Sequence, residues 1–375
     1  MANTFSVHPV GRFAGPSQPL KRPREFACFS YDKDHRYHYD DSSMKWYYPP
    51  QLGADLSKGY ETFQKHDNSQ DEHIDSLLET IMRHEKETGQ AIDAKFVTWR
   101  GMMTKIMAAP FDDRDGFEMN ATLYRDCIFI EENWAYKAAQ EQQQKNWKGP
   151  IPSEVMQYWG YKFETLSTLP APWGEVSREY IEGRDDEIVN NKEQYCSVVR
   201  TGIGKNVICL GGEVDCIWDA KPQEKGKPIN WVELKTSAEI KSDRDMENFD
   251  RKMMKFWIQS FLLGVPKIIV GFRSKDGILQ RLENISTAKI PDIASRKPRP
   301  LWDGNICINF ANGFLDWLRT AVDDEGVYRI RRKPRSPEIE VWKVEETGHG
   351  KILTDDFINW RIKLAMGPPP ETETE

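Results

Sequence analysis

Leu210-Gly-Gly-Glu-Val-Asp-Cys-Ile217, Trp231-Val-Glu-Leu-Lys235 and, after a long helical pattern, Val270-Gly-Phe-Arg273 form the stretch on which the fold reading turns. Residues two apart on a strand share a face. Glu213 and Asp215 therefore point one way from a first strand, and Glu233 and Lys235 one way from a second. Val214 and Leu234 go to the opposite faces, and Leu210, Cys216, Ile217 and Trp231 help the strands to pack. If these strands are neighbours, three carboxylates and one ammonium converge. Burying such a cluster is costly unless cations neutralise it. Hard oxygen ligands select Mg²⁺ or Mn²⁺. Lys235 beside the last carboxylate is placed to orient an attacking water or to stabilise charge on phosphoryl oxygens. These residues alone point to a metal-dependent site that cleaves phosphodiesters.

Residues 221–230, rich in Pro, Gly and Lys, read as the hairpin between the two acidic strands. Residues 244–263 read as a helix with Phe249, Met253, Phe256 and Ser260 near one face and Gly264 as its stop. Lys255 and Gln259, one turn apart, both look toward the strands on this reading. Further upstream, Gly160-Tyr-Lys-Phe-Glu164 reads as a strand after a short helix over 153–158. Tyr161 and Phe163 then share one face, and Lys162 shares the other with Glu164 and pairs with it. Amphipathic helices are expected over 74–86, 306–322 and 354–364, and strands over 25–31 and 338–344. The acidic strands span the middle of the chain and no linker stands out. The expected fold is α+β, a single large domain with a central mixed sheet flanked by helices. Residues 1–24 read as an extended N-terminal segment, 25–365 as the domain and 366–375 as a disordered tail.

Bulk properties narrow the function. The 375 residues carry a net charge of −7, from 52 basic and 59 acidic groups. That argues against coating duplex nucleic acid, which favours a basic face. The six cysteines show no CxxC and no His/Cys cluster, so neither zinc nor a disulfide framework is expected, and a reducing compartment fits. The seven histidines are assigned no chemistry, since His35 and His38 are not at metal-ligand spacing with other candidates. No secretory pattern and no 18-residue apolar run occur, so a membrane is not expected. The expected location is the nucleus, with the cytoplasm as the alternative. Lys21-Arg-Pro-Arg24 reads either as a nuclear signal or as plain solvated charge. Two basic stretches, residues 296–299 and 329–335, read as guides for an anionic strand, as a dock for an acidic partner, or as solvated loops.

Arg100, Gly160-Tyr-Lys-Phe-Glu164, Gly212-Glu-Val-Asp215, Glu233-Leu-Lys235 and Lys255-Phe-Trp-Ile-Gln259, in that order, carry a resemblance. An acid followed by Glu-x-Lys on the next strand is similar to the restriction-endonuclease-like nuclease core. The ordered set resembles the DXO/RAI family of RNA 5′-end decapping nucleases. The likeness runs from Arg22-Pro-Arg-Glu25 and Tyr47-Tyr-Pro-Pro50 to Gly271-Phe-Arg273. It implies that Glu164, Asp215 and Glu233, with the Leu234 carbonyl, hold two divalent cations, Mg²⁺ or Mn²⁺. It implies that Glu213 assists through water or positions substrate, and that Lys235 holds the nucleophilic water or the scissile phosphate. Gln259 would contact that phosphate or water, and Arg100 would bind the phosphates of the RNA 5′ end. The implied substrates are RNAs with a 5′ triphosphate, an unmethylated cap or an NAD-type cap, and some members also degrade the product 5′ to 3′. The fungal nuclear members implicate a further partner, the large 5′-3′ exoribonuclease Rat. A rival reading follows from that partnership: a stabilising subunit with no chemistry of its own. Taken singly, a strand Glu-x-Asp or Glu-Leu-Lys is most often a solvated face, and Gln259 a satisfied structural amide. The ordered combination is what favours chemistry.

Overall fold

The computed structural model describes residues 2–145 and 149–367. Ten strands build a larger sheet in the order Asn3–Ser6, Glu338–Glu345, Val327–Arg332, Phe117–Tyr124, Cys127–Glu132, Phe96–Trp99, Asn206–Glu213, Gln194–Ile203, Leu20–Tyr31, Tyr37–His38. Six build a smaller one in the order Leu279–Ser286, Lys267–Arg273, Trp231–Ala238, Cys216–Ile217, Trp46–Tyr47, Thr168–Leu169. Both are mixed. Phe96–Trp99 runs parallel to Asn206–Glu213 and to Cys127–Glu132, and Trp231–Ala238 runs parallel to Lys267–Arg273. Parallel strands need cover on both faces, and accordingly Phe96, Val97, Val232, Ile268 and Val270 are all fully buried.

One helix ties the sheets together. Asp243–Leu263 starts at Ser242, whose side chain accepts from the Asp245 amide, and ends at Gly264, which takes φ 72°. Such a left-handed stop suits glycine, which has no Cβ to strain. Phe249, Met253, Trp257, Ile258, Leu262 and Leu263 bury its apolar stripe. The helix lies on Arg100–Ala108 and touches Asn206–Glu213 of one sheet and Lys267–Arg273 of the other. Each large side chain so buried contributes roughly 1.5–3 kcal/mol.

Several expectations are corrected. Gly160-Tyr-Lys-Phe-Glu164 is not a strand but part of the helix Ser153–Leu166. Tyr158, Trp159, Lys162, Phe163 and Leu166 are its buried positions, a helical period that a five-residue window misread as alternation. Lys162 does not pair with Glu164; it is buried and donates to the Asp185 carbonyl at 2.6 Å. The two acidic strands are not sheet neighbours. Asn206–Glu213 belongs to the larger sheet, and the strand paired antiparallel with Trp231–Ala238 is the short Cys216–Ile217. Leu20–Tyr31 is one strand, so a division at residue 24 falls inside it, and Asn3–Ser6 pairs with Glu338–Glu345. Met366 ends the last helix, Asp355–Met366, and the tail from residue 368 onward lies outside the described residues.

The basic stretch 329–335 is half strand. Arg329 bonds Glu118 at 2.9 Å and Arg331 bonds Glu340 at 2.9 Å. Arg332 is 1% exposed and donates to the carbonyls of Ala109 and Asp112 at 2.6 and 2.8 Å. Those three arginines are engaged in structure, not left as free solvated charge. Of the other stretch, Lys297 is paired with Asp250.

Candidate active site

The chain changes sheets at the acidic motif. Glu213 ends its strand in the larger sheet, the Val214 amide bonds the Tyr195 carbonyl at 3.1 Å, and Cys216 opens a strand of the smaller sheet. Asp215 sits in the crossing, where its Oδ2 accepts from the Leu234 amide at 2.5 Å. That bond holds the crossing against Glu233-Leu-Lys235. The alternation read for Glu233 and Lys235 is present: Lys235 Nζ lies 2.6 Å from Glu233 Oε1. Glu233 is 1% exposed, and its other oxygen lies 3.4 Å from Arg100 Nη1. The same Nη1 donates to the Glu213 carbonyl at 3.3 Å. Arg100 is the first residue of Arg100–Ala108, directly after the strand Phe96–Trp99.

Two glycines permit this crowding. A Cβ on Gly212 would stand 2.8 Å from Leu263 Cδ1 and 3.0 Å from Arg100 Cβ. A Cβ on Gly271 would stand 2.5 Å from Phe163 Cε2. The second gap seats the helix Ser153–Leu166 on the smaller sheet and so brings in Glu164. Glu164, Glu213 and Asp215 line one cavity of about 40 Å³ together with Lys45. Glu213 also lines a cleft of about 290 Å³ bordered by Trp99, Gln194, Tyr31 and Trp134. Gln259 is half-buried on the helix face that carries Leu263, beside Gly212, and Phe256, whose ring centre is 6.0 Å from Lys235 Nζ. Lys255, by contrast, is paired with Asp112 Oδ2 at 2.6 Å. Buried Leu234 lies between Glu233 and Lys235, paired in register with Ile269. One neighbour escaped the sequence reading: Gln194, whose Nε2 donates to Glu213 Oε2 at 3.4 Å. It starts a strand that carries no local motif.

The carboxylates differ in their electrostatics. Burial, then repulsion from Asp215 and Glu213, pushes the Glu164 carboxyl well above the usual range. Burial followed by the Glu233 charge pushes Asp215 up to about 8. Burial also raises Glu213, against the pull of Arg100. Glu233 behaves oppositely. Burial opposes its ionisation, yet Lys235 and Arg100 together hold it below the ordinary value. Lys235 stays raised despite burial because Glu233 and Asp215 face it. The site thus has more carboxylates than its own cations can neutralise. A set of oxygen donors short of positive charge fits hard divalent cations.

A sequence profile of the family described as RAI1-like PD-(D/E)XK nuclease matches residues 21–358. The chain is 65% identical over 379 residues to the decapping nuclease RAI1 of Neurospora crassa, covering 100% of this chain and 92% of that protein. Candida albicans Rai1, solved in complex with pU5-Mn²⁺, superposes with a TM-score of 0.89 at 33% identity, over 97% of this chain and 100% of that one. Scheffersomyces stipitis Rai1, solved in complex with (3′-NADP)⁺ and calcium ion, superposes with a TM-score of 0.86 at 29% identity, over 96% and 99%. The α+β fold with its mixed sheets is the one these proteins share. The chain therefore belongs to the RAI1-like PD-(D/E)XK nuclease family, whose members work with divalent cations.

Proposed function

We propose that the chain is a decapping hydrolase that removes defective RNA 5′ ends, with the crossing between the sheets as its active site. The observation that carries this reading is buried Glu233, braced by Lys235 at 2.6 Å and Arg100 at 3.4 Å. Asp215 is locked beside it through Leu234. Glu164, Asp215, Glu233 and the Leu234 carbonyl hold the divalent cations. When bound, such cations supply Lewis acidity and lower the pKa of water at phosphorus. The protein's own groups do the positioning. The Arg100 guanidinium presents a fork suited to 5′ phosphate oxygens. Lys235 faces the attacking water or the scissile phosphate, Gln259 contacts one of them from the helix above, and Glu213 orients water at the cleft.

In the reaction an O–P bond forms from water and the P–O bond to the leaving group breaks. A 5′-triphosphate RNA gives monophosphate RNA and pyrophosphate, and an unmethylated cap leaves as a dinucleotide. Removal of NAD-type caps by the same attack is supported by the 290 Å³ cleft beside Glu213 and by the (3′-NADP)⁺ bound to the Scheffersomyces relative. RNA 5′ ends as substrate agree with the pU5 bound to the Candida relative. Triphosphate RNA labelled at its β and γ phosphates tests the reaction directly. Released pyrophosphate supports the proposal, and stepwise release of orthophosphate contradicts it.

A second role belongs with this one: partnership with the nuclear exoribonuclease Rat. Trp173, 71% exposed, and Ile188, 52% exposed, offer apolar contacts at the surface. A Rat pull-down that survives Glu233→Ala separates the scaffold role from catalysis, and no capture by either form removes it. Nuclear location is part of the same proposal. Lys21, Arg22 and Arg24 are exposed on the strand Leu20–Tyr31. Imaging of the tagged protein decides between nucleus and cytoplasm.

A further inference from the structure

We propose that His35, His66 and Glu72 form a second metal site, for a divalent cation of the Zn²⁺ class, in the cleft that Glu213 also lines. One ligand atom from each lies within 4.8 Å of the others. Glu72 Oε1 stands 3.2 Å from His35 Nε2 and 3.4 Å from His66 Nε2. Ligands about 2.0–2.1 Å from a tetrahedral zinc stand about 3.3 Å apart. The spacing is therefore that of donors around one ion.

The tautomer points the same way. His35 Nδ1 donates to the Lys192 carbonyl at 2.9 Å. A neutral ring with its proton on Nδ1 turns the lone pair of Nε2 toward the Glu72 carboxylate. Between those two atoms either a proton or a metal cation must sit. This Nδ1–H to carbonyl bond is also the arrangement that orients metal-bound histidines. The His35 and His66 rings are tilted by 35° with 3.9 Å between centres, and Tyr31 stacks on His35 at 3.9 Å. Without a metal, a protonated His35 and a neutral His66 with its proton on Nε2 would both donate to Glu72; a single metal ion replaces both of those protons.

The site is also built in advance. His35 holds φ 65° in a turn whose Asp32 carboxylate accepts from the Asp34 and Arg36 amides, each at 2.9 Å. The His66 amide is fixed by Asn191 Oδ1 at 2.6 Å. Two imidazoles and one carboxylate favour a borderline cation over Mg²⁺, unlike the all-oxygen crossing. Three protein ligands leave a coordination position open. The His35 and His66 side chains are 14% and 20% exposed, and both line the cleft with Glu213. Asp71, Glu131, Glu132 and Glu141 line it too, so an ion there adds positive charge to an acidic groove. The residues are scattered through loops and show no ligand spacing in sequence, which is why the histidines carried no assignment there.

Cobalt(II) is the probe, titrated into the full chain in excess Mg²⁺ so that the all-oxygen site is occupied. The expected result is one equivalent bound with the strong visible absorption of tetrahedral Co²⁺. His66→Gln and Glu72→Gln, checked for folding by circular dichroism, should each lose that spectrum, and Glu233→Ala should keep it. Zn²⁺ should raise the melting temperature of the parent chain and not of His66→Gln. The proposal is overturned if the parent gives no tetrahedral spectrum, which would leave protons as the only occupants. It is equally overturned if the spectrum survives His66→Gln or disappears in Glu233→Ala.

Discussion

Glu233 is the residue on which the other site groups depend. It is 1% exposed and stays ionised only because Lys235 and Arg100 flank it. Glu233→Ala should lower hydrolysis of triphosphate RNA on the order of 1,000-fold or more. Its circular dichroism should match the parent; full activity would sink the assignment. Lys235→Ala should lower kcat by about 100- to 1,000-fold, as for a group that stabilises charge only in the transition state. A change confined to KM would count against that role. At this scale the sequence was most legible where residues sit on strands. The two-residue period put Glu233 and Lys235 on one face, and they meet at 2.6 Å. Glu164 was found through the motif and not through its geometry, because five residues of helix can imitate alternation. Gln194 stayed hidden because its approach to Glu213 depends on strand pairing, in which Glu213 registers with Cys196.

At the scale of elements, close approach of Asp243–Leu263 to the larger sheet depends on Gly212. Gly212→Ala would drive a methyl into Leu263 Cδ1 and Arg100 Cβ, 2.8 and 3.0 Å away. The overpacking should cost about 1–3 kcal/mol in urea unfolding and lower activity as Arg100 shifts. An unchanged midpoint and rate would show that the helix can move freely. The last helix is fastened differently. Arg361 makes two bonds to fully buried Glu85, at 2.7 and 2.8 Å, and Trp360 Nε1 adds a third at 2.9 Å. Arg361→Ala strands that carboxylate and should cost about 3–5 kcal/mol, read as a lower unfolding midpoint. Both helices were visible in sequence from their apolar stripes, and the first also from its stop at Gly264. What was not visible is the partition of strands. Cys216–Ile217 and Asn206–Glu213 are separated by two residues, yet lie in different sheets. No local propensity encodes that, since it follows from which faces the long helix covers.

For the whole molecule, the acidic crossing links stability, pH and cations. Asp215 has a folded-state pKa of about 8 against an ordinary value of 3.8. Between those values the folded state binds more protons than the unfolded one. Metal-free stability should therefore be fully present below about pH 4 as far as this group is concerned, and fall as pH rises toward 8. Asp215→Asn should flatten that decline in chelator-treated protein, and a parallel decline would contradict it. Mn²⁺ should raise the melting temperature more at pH 8 than at pH 5, because fewer protons must be displaced. The class of fold was legible overall, since strand and helix patterns alternate along the chain; the count of sheets was not. The most direct test of the central claim is incubation of the purified chain with matched RNAs in Mg²⁺ or Mn²⁺, with Glu233→Ala alongside. The RNAs would carry monophosphate, triphosphate, unmethylated-cap or NAD 5′ ends. The account predicts removal of the last three ends by the parent and by neither metal with the variant. No end removed under either metal, or equal removal by Glu233→Ala, would contradict it.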